Sequence, residues 1–487
     1  MRSRVPPEVL AVHQSLVDAG FQAYLIGGCV RDLLIGREPK DWDITTNATP
    51  EKIQEIFPDS FYENSFGTVG VKTPSEDPKL HIVEVTPYRL EDEYKDARWP
   101  NSVVWSDKLD DDLKRRDFTV NAIAYDPINE SFTDPHDGQE GIRRKTLVAV
   151  GNPSERFAED ALRMLRAVRL SAELDFTIEA TTMAGIAENA PLLAKISRER
   201  VRDEFIRILE TKTPMQGIYI AQKLGLLKYI IPELEEGIGC NQNQAHSFDV
   251  FEHLVRSLQH AADKGWPLAI RVAALLHDVG KPASRRFDEE KKDYTFYGHE
   301  VIGARTAKKI LEDLRFPKDL SERIVNLVRW HMFFSDPDKI TLSAVRRIIT
   351  NVGQEHIWDL LNLRICDRIG TGRPKEQPFR LRKYTSMVEE ALRDPISVGM
   401  LHIDGKKLME LSGERPGRKI GWILHALLEE VLDDPLKNDI AYLERRSIEL
   451  LALPEEELRK VGEQGKDRRA EEDEREIELL RKKHHVA

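Results

Sequence analysis

The spacing of apolar residues changes once along the chain, and that change restricts the fold more than any other feature. Up to about residue 150 the apolar residues come in short β-rich runs, Tyr24–Ile26, Thr68–Lys72, Leu80–Thr86 and Thr119–Tyr125, each bounded by Gly, Pro, Asp or Asn, as strands are. A helix opened by Pro6 and Pro7 and stopped near Gly20 precedes them. From about Glu155 the spacing becomes three to four, through AEDALRMLRAVRLSAEL, KISRERVRDEFIRILE and PMQGIYIAQKLGLLKYI. The rest of the chain reads as almost wholly helical. At roughly 100–200 residues per domain, 487 residues make about three or four domains. The expected fold class is α+β: a mixed sheet with helices, followed by an all-helical elongated body.

Hydrophobic residues at 40% and charged residues at 32% suffice for buried cores and exclude a wholly disordered chain. No run of about 18 apolar residues is present, and the opening MRSRVPPEVLAVHQ has no apolar signal core, so neither membrane spanning nor classical secretion is expected. Cys29, Cys240 and Cys366 are too scattered for a disulfide framework or a zinc ribbon and suit a reducing cytoplasm. The formal charge is −11, although a local basic cleft would suffice for phosphate contacts. Composition shifts again near residues 236–245, after which His residues are dense up to His331, and a further segment begins at about Asp394. The tail from Pro454 is a mixed-charge run, expected as a solvated helix. The expected segments are therefore 1–150, 151–235, 236–393, 394–453 and 454–487, and no obligate protein partner is evident.

Chemistry enters at YLIGGCVRDLLIG. Gly27 and Gly28 let a backbone turn approach a phosphate, and the following helix offers free N–H groups to an anion. Gly27, Gly28 and Arg31 are thus candidate nucleotide-binding residues, although a plain strand-to-helix turn would look the same. No GK[ST] follows that would make a Walker loop. Within about twenty residues comes Lys40-Asp41-Trp42-Asp43-Ile44. On a strand Asp41 and Asp43 share a face. Two carboxylates on one face make a hard-oxygen site for Mg²⁺ bridged by substrate phosphates, as phosphoryl or nucleotidyl transfer by two metal ions requires.

These two motifs are followed, in order, by RRDFTVNAIAYDP from Arg115, AEDALRMLRAVRL from Ala158 and SRERVRDEF from Ser197. Together they resemble the head and neck of the bacterial tRNA nucleotidyltransferase/poly(A) polymerase family, within the DNA polymerase beta superfamily, over roughly the first 230 residues. The resemblance implies a nucleotidyltransferase head over 1–150 and a helical neck that recognises the base over 151–235. It implies template-independent addition of CCA, from CTP and ATP, to the 3′ acceptor arm of tRNA. It makes Asp41 and Asp43 the catalytic Mg²⁺ ligands and places Arg116 on phosphate. Asp117 and Asn121 would contact the sugar hydroxyls or orient neighbours, since a carboxylate or amide can recognise a 2′-hydroxyl. The alternative for Asp117 is a structural ion pair with Arg115.

In EDALR, Asp160 and Arg163 at i and i+3 are expected on one helix face. An acceptor beside a fork-shaped donor can read a base edge that carries an exocyclic amine, as C and A do and U and G do not. The family uses this pair as a protein template; a surface ion pair is the alternative. Arg166, one turn on, is placed to help with phosphate or base. Glu84 in HIVEVTPYR could be a third carboxylate or a partner for Arg89. Family members restricted to CC lack a flexible stretch between Glu84 and Arg115. This chain keeps it, with Glu91, Tyr94, Arg98 and Pro100, so CC-only addition is not expected.

A second set of motifs, HSFDVFEHLVRSL, RVAALLHDVGKP, FYGHEVIGA, RWH and RICDRIG, carries His253, His277, Asp278, His299, His331 and Asp367. Imidazole with carboxylate suits a transition metal held by helices. Their order resembles the HD-type phosphohydrolase domain. That implies a divalent transition-metal site of His253, His277, Asp278 and Asp367, with His299 and His331 able to extend it to two metals and Lys281 to aid phosphate binding. It implies hydrolysis of phosphoester ends, such as a 2′,3′-cyclic phosphate on damaged RNA; a fold retained only to hold tRNA is the alternative. Gly405, Gly413, Gly417 and Gly421, read as lying between short helices, mark 394–453 as an RNA-binding segment or simply permit tight packing.

Other readings compete. An A-adding enzyme or a poly(A) polymerase is the nearest, the polymerase being disfavoured by the His-Asp domain and the lack of a strongly basic tail. A metal-dependent phosphohydrolase with a nucleotide-binding head belongs to another class. A non-catalytic RNA-binding protein is opposed by the intact acidic pair.

Overall fold

Apolar residues on one side of a first helix start the core of the N-terminal unit, Met1–Ile230. Helix α1 (Pro7–Asp18) begins on a proline and buries Val9, Val12 and Leu16. The structure, a computed structural model, describes residues 1–63, 67–91, 94–95, 99–100, 103–242, 247–333, 340–394 and 397–462. Arg98 and residues 463–487 of the charged tail lie outside them.

Beneath α1 lie β1 (Ala23–Ile26), β2 (Asp43–Thr46), β3 (Ser60–Tyr62), β4 (Val69–Lys72) and β5 (Ile82–Pro87). With the strands Ala124–Asp126 and Ser131–Thr133 they make a seven-stranded sheet, ordered Ser131–Thr133, Ala124–Asp126, β1, β2, β5, β4, β3. β2 is parallel to β5, antiparallel to β1, and β4 is antiparallel to β5, so the sheet is mixed. Leu25, Ile44, Val69, Val71, Val83 and Val85 join the α1 residues in one core. Glu84, between two buried valines of β5, points to the other face. The register sets Asp43 directly against Glu84.

Three of the four runs read as strands form them. The run Thr119–Tyr125 does so only from Ala124, and Thr119–Asn121 is a 3₁₀ turn. Asp117 Oδ1 accepts from the Phe118 N–H and from Asn121 Nδ2. Such local bonds draw the backbone away from a ladder. Helices Pro153–Glu159, Leu162–Leu174, Ala180–Asn189, Arg198–Leu209 and Pro214–Lys223 complete the unit.

Among the described residues, the unit from Ile231 is helical apart from the hairpin Arg286–Asp288 with Asp293–Thr295. Helix Val250–Asp263 is capped by Asp249, whose carboxylate accepts from the Glu252 N–H at 2.8 Å. It packs on helix Ile357–Gly370, where Gly370 leaves no room for a side chain: a Cβ there would fall on Ser257 Oγ and 2.7 Å from the His253 carbonyl. In the C-terminal part, Gly413 ends helix Gly405–Ser412 with φ +68°. Gly421 does not lie between helices as expected. It sits inside helix Arg418–Asp433, which the burial of Ile420, Ile423 and Leu427 sustains.

Gly370→Ala should therefore wedge two core helices apart and lower the stability of this unit by about 1–3 kcal/mol. Thermal unfolding of the full chain measures it; an unchanged transition would mean that the helices do not approach so closely.

Candidate functional site

β2 begins at Asp43, and Asp41 sits in the bend just before it. Trp42 between them is buried in the core, which turns both carboxylates toward the glycine turn. A Cβ on Gly27 would lie 3.3 Å from Asp43 Oδ2 and 3.1 Å from Arg116 Nη1; one on Gly28 would lie 3.9 Å from Asp41 Oδ1. Gly27 caps helix α2 (Gly28–Leu34) at φ +78°, ψ −136°, a region that essentially only glycine enters. Backbone and space both call for glycine.

The register that pairs Asp43 with Glu84 brings a third carboxylate to the cluster. Burial, then Asp41, pushes the Asp43 carboxyl up to about 7. Burial, then Asp43, Glu63 and Asp41, pushes Glu84 up to about 7 as well. Neighbouring carboxylates that resist ionising together call for a divalent cation, and an all-oxygen donor set suits Mg²⁺. Glu63, which follows β3, is absent from the sequence reading. Only the pairing of β3 with β4 and of β4 with β5 brings it near, and no local motif signals that.

A chain of hydrogen bonds runs behind the cluster. Arg31 Nη1 donates to Asn121 Oδ1 at 2.7 Å, and Asn121 Nδ2 donates to Asp117 Oδ1 at 3.1 Å. Asp117 Oδ2 accepts from Arg166 Nε at 2.8 Å. Burial alone would raise the Asp117 carboxyl, but Arg166, Asn121 and Arg163 outweigh it and hold Asp117 below the usual carboxylate range. The ion pair of Asp117 is thus with Arg166. Arg115 pairs instead with Asp112, at 2.5 Å, and Arg116 Nη2 reaches the other oxygen of that buried carboxylate at 3.1 Å. Asp112 anchors the arginine that lies beside Asp43.

Asp160 and Arg163 do not share a helix face. Asp160 is extended (φ −138°, ψ 103°) between helices Pro153–Glu159 and Leu162–Leu174. Its Oδ1 accepts from the Leu162 N–H at 3.0 Å, and this local bond competes with helix continuation. Its Oδ2 pairs with Arg200 at 3.0 Å. Arg163 is buried, and it donates to Glu159 Oε2 at 2.7 Å and to the Arg115 carbonyl at 3.1 Å. Both side chains are held by neighbours, Arg200 and Glu159, that the sequence reading did not single out.

In the second unit five helices converge on a buried cluster. Helix Val250–Asp263 carries His253, His277 and Asp278 follow helix Leu268–Leu276, His299 opens helix His299–Asp313, His331 follows helix Lys318–Trp330, and Asp367 lies on Ile357–Gly370. Nδ1 of His277, His299 and His331 sits 2.9, 2.7 and 2.7 Å from the carbonyl three residues earlier. Donation there leaves each Nε2 lone pair for the interior. His253 Nε2 lies 2.9 Å from His277 Nε2 and 3.0 Å from Asp278 Oδ2. His299 Nε2 and His331 Nε2 lie 3.2 and 3.4 Å from Asp278 Oδ1.

Two ligand sets, each within 4.8 Å, therefore share Asp278: His253, His277, Asp278 and Asp367, and Asp278, His299 and His331. The mixture of imidazole and carboxylate fits divalent transition metals. Asp278 and Asp367 are held well below the carboxylate range, against burial, by Lys281 and Arg364 respectively. Without a metal, His277 answers them, its imidazole pushed up to about 9 against burial by Asp278 and Asp367. Lys281 Nζ lies 2.6 Å from both Asp278 Oδ2 and Gln242 Oε1, and Arg364 is bonded to Asp367 Oδ2.

Comparison with known proteins matches the segments that carry both clusters. A family model for the poly(A) polymerase head domain matches residues 23–148, one for a probable RNA- and SrmB-binding site of polymerase A matches 175–238, and one for the HD domain matches 250–359. The CC-adding tRNA nucleotidyltransferase of Thermus thermophilus is 34% identical over 418 residues, 84% of this chain and 89% of that one. The CCA-adding enzyme of Lactobacillus helveticus is 30% identical over 443 residues, 90% of this chain and 96% of that one. Among solved structures, the Bacillus stearothermophilus CCA-adding enzyme in complex with CTP matches with a TM-score of 0.68 at 27% identity, over 91% of this chain and 98% of that one.

The raised carboxyls set a pH dependence. Folded Asp43 and Glu84 keep, up to pH of about 7, protons that the unfolded chain gives up near its ordinary values of 3.8 and 4.5. Their stabilising share is full below those values and is lost as pH rises through about 7. In chelator, the Asp43→Asn/Glu84→Gln variant should gain thermal stability over the parent as pH rises from about 4 to 8, the two converging at the acid end. Parallel melting curves would show that the carboxylates do not crowd.

Proposed function

Because the chain belongs to the tRNA nucleotidyltransferase/poly(A) polymerase family, we propose that its N-terminal unit adds C, C and A, from CTP and ATP, to the 3′ end of tRNA without a nucleic-acid template. The convergence of Asp41 and Asp43 on the glycine turn, with Glu84 in register against Asp43 and Arg116 beside Asp43, carries this reading. Asp41 and Asp43 would hold Mg²⁺, which when bound neutralises the triphosphate and favours ionisation of the attacking hydroxyl. The 3′-oxygen of the RNA bonds to the α-phosphorus, the bond from that phosphorus to the bridging oxygen breaks, and pyrophosphate leaves. Arg116, anchored by Asp112, faces the triphosphate. Asp117 and Asn121 orient Arg31 and Arg166 around the sugar. Asp160 accepts from the exocyclic amine of C or A and Arg163 donates to the ring acceptor beside it; the carbonyl that U and G carry in place of that amine would meet the Asp160 carboxylate with no proton between the two oxygens.

The full-length stretch between Glu84 and Arg115 favours complete CCA addition. The similarity to the CC-adding enzyme of Thermus thermophilus supports a second reading, in which synthesis stops after CC. In the other unit the two buried ligand sets support hydrolysis of phosphoesters. A divalent metal there supplies Lewis acidity. His253, His277, Asp278 and Asp367 would hold one ion, and Asp278, His299 and His331 could hold another. Water contributes its oxygen to phosphorus, a phosphorus–oxygen ester bond breaks, and the released hydroxyl takes the proton. The head, neck, HD and C-terminal segments are assigned to 1–150, 151–235, 236–393 and 394–453, in a cytoplasmic protein.

The full chain, given CTP and ATP with tRNA ending at the discriminator base, should return tRNA ending in CCA when the 3′ ends are sequenced. Asp41→Ala/Asp43→Ala should abolish addition and leave phosphoester turnover intact. A product stopped at CC despite ATP would favour the second reading, and addition surviving in the double variant would refute the assigned site.

A further inference from the structure

The stretch of chain that delivers Asp41 has little of its own to hold it. From Arg37 to Trp42 the chain forms neither helix nor strand. Under it lies a cavity of about 410 Å³, walled in part by Gly36, Glu38, Pro39 and Trp42. Atoms that line a void lack packing partners on that side, so the position of the stretch depends on what it is tied to. Some ties stay within the head. The Arg37 N–H donates to the Asp32 carbonyl at 2.8 Å, and Arg4 Nη2 donates to the Arg37 carbonyl at 3.1 Å. Two others lead to helix Leu162–Leu174. Arg37 Nη1 donates to the Glu173 carbonyl at 3.0 Å, and Lys40 Nζ donates to Glu173 Oε1 at 3.1 Å. Lys40 is the residue next to Asp41.

Glu173 is itself well held. Arg169, four residues earlier, donates from Nη1 to its Oε2 at 3.0 Å. Burial alone would raise the Glu173 carboxyl, but Lys40, then Arg169 and Arg31, hold it below its usual value. It stands near the end of the helix that Arg163 and Arg166 begin. At about 3.6 residues per turn, i, i+3 and i+10 fall on one face, and the first and last are about 15 Å apart. That face meets the head at both ends. Arg163 donates to the Arg115 carbonyl and Arg166 pairs with Asp117, while Glu173 takes Arg37 and Lys40. One rigid rod therefore touches the residues assigned to the nucleotide and the stretch that ends in Asp41.

We propose that Glu173 is a positioning residue for nucleotidyl transfer: through Arg37 and Lys40 it sets where Asp41 stands relative to the helix that carries Arg163 and Arg166. This rests on the nucleotidyl-transfer reading and adds to it a link between the nucleotide's place and that of a metal ligand. Arg37 and Lys40 are exposed, and exposed cations have another use, the holding of an RNA phosphate. The two uses answer to charge with opposite sign. Glu173→Gln frees Lys40 and removes a negative charge, which favours an RNA contact and loosens Asp41. Arg37→Ala/Lys40→Ala removes two cations, which by charge alone favours Mg²⁺ at the aspartates, so a weakened metal site in that variant reports position.

The test uses the full chain with CTP and tRNA ending at the discriminator base. Glu173→Gln should raise the Mg²⁺ concentration for half-maximal addition by about threefold, the size expected of one exposed ion pair. Arg37→Ala/Lys40→Ala should raise it by about tenfold, since two ties are lost. Lys40→Arg, which keeps the pair, should leave it at the parent's value. Without nucleotide or RNA, the Mn²⁺ binding that Asp41→Ala/Asp43→Ala removes, followed by electron paramagnetic resonance, should weaken in the same order. The Kd for tRNA, measured in chelator, should not change in either variant, and an unchanged melting transition in chelator shows that they are folded. An unchanged or lowered Mg²⁺ requirement in Glu173→Gln or in Arg37→Ala/Lys40→Ala would overturn the proposal. So would tighter tRNA binding by Glu173→Gln with weaker binding by Arg37→Ala/Lys40→Ala, which would make these cations an RNA contact. No addition by the parent chain would overturn the nucleotidyl-transfer reading, and this inference with it.

Discussion

Carboxylates forced together in low-dielectric surroundings are the constraint on which both sites depend. In the head, the register of β2 against β5 sets Asp43 opposite Glu84, and the bend before β2 adds Asp41. Their charges cannot all develop without a cation. Oxygen donors alone select a hard ion such as Mg²⁺. In the second unit the two carboxylates are balanced by Lys281 and Arg364 and stand among four imidazoles, a set suited to softer metals. The chemistry of each unit follows from the donors its fold collects.

Around the head cluster, arginines are held by carboxylates that do not themselves face the substrate. Asp112 fixes Arg116, Asp117 fixes Arg166, and Glu159 fixes Arg163. Each anchored guanidinium has less freedom to lose when a nucleotide binds. Asp160 is restrained in turn by Arg200 and by the helix it caps. Under the proposed reading of the base, this rigidity would matter, because a mobile acceptor would adapt to the wrong edge.

Much of this was legible in the sequence because the signals are local. The paired glycines, the Asp-x-Asp spacing and the His277-Asp278 pair each lie within a few residues, and the structure brings the His and Asp residues of the second set close enough to share a metal ion. What escaped is non-local. Glu63 reaches the cluster only through strand pairing, and Arg200 reaches Asp160 from forty residues away. Two local expectations failed for one reason. The side chains of Asp117 and Asp160 bond to nearby backbone N–H groups, and so turn an expected strand into a 3₁₀ turn and an expected helix face into a break between helices.

The most direct measurement is a crystal of the full chain grown with CTP and Mn²⁺, with the anomalous signal used to locate the metal. The account predicts manganese between the Asp41 and Asp43 carboxylates, against the Gly27–Gly28 turn, with the triphosphate facing Arg116 and the cytosine facing Asp160 and Arg163. Manganese elsewhere in the N-terminal unit, or a triphosphate bound away from those two aspartates, would contradict it.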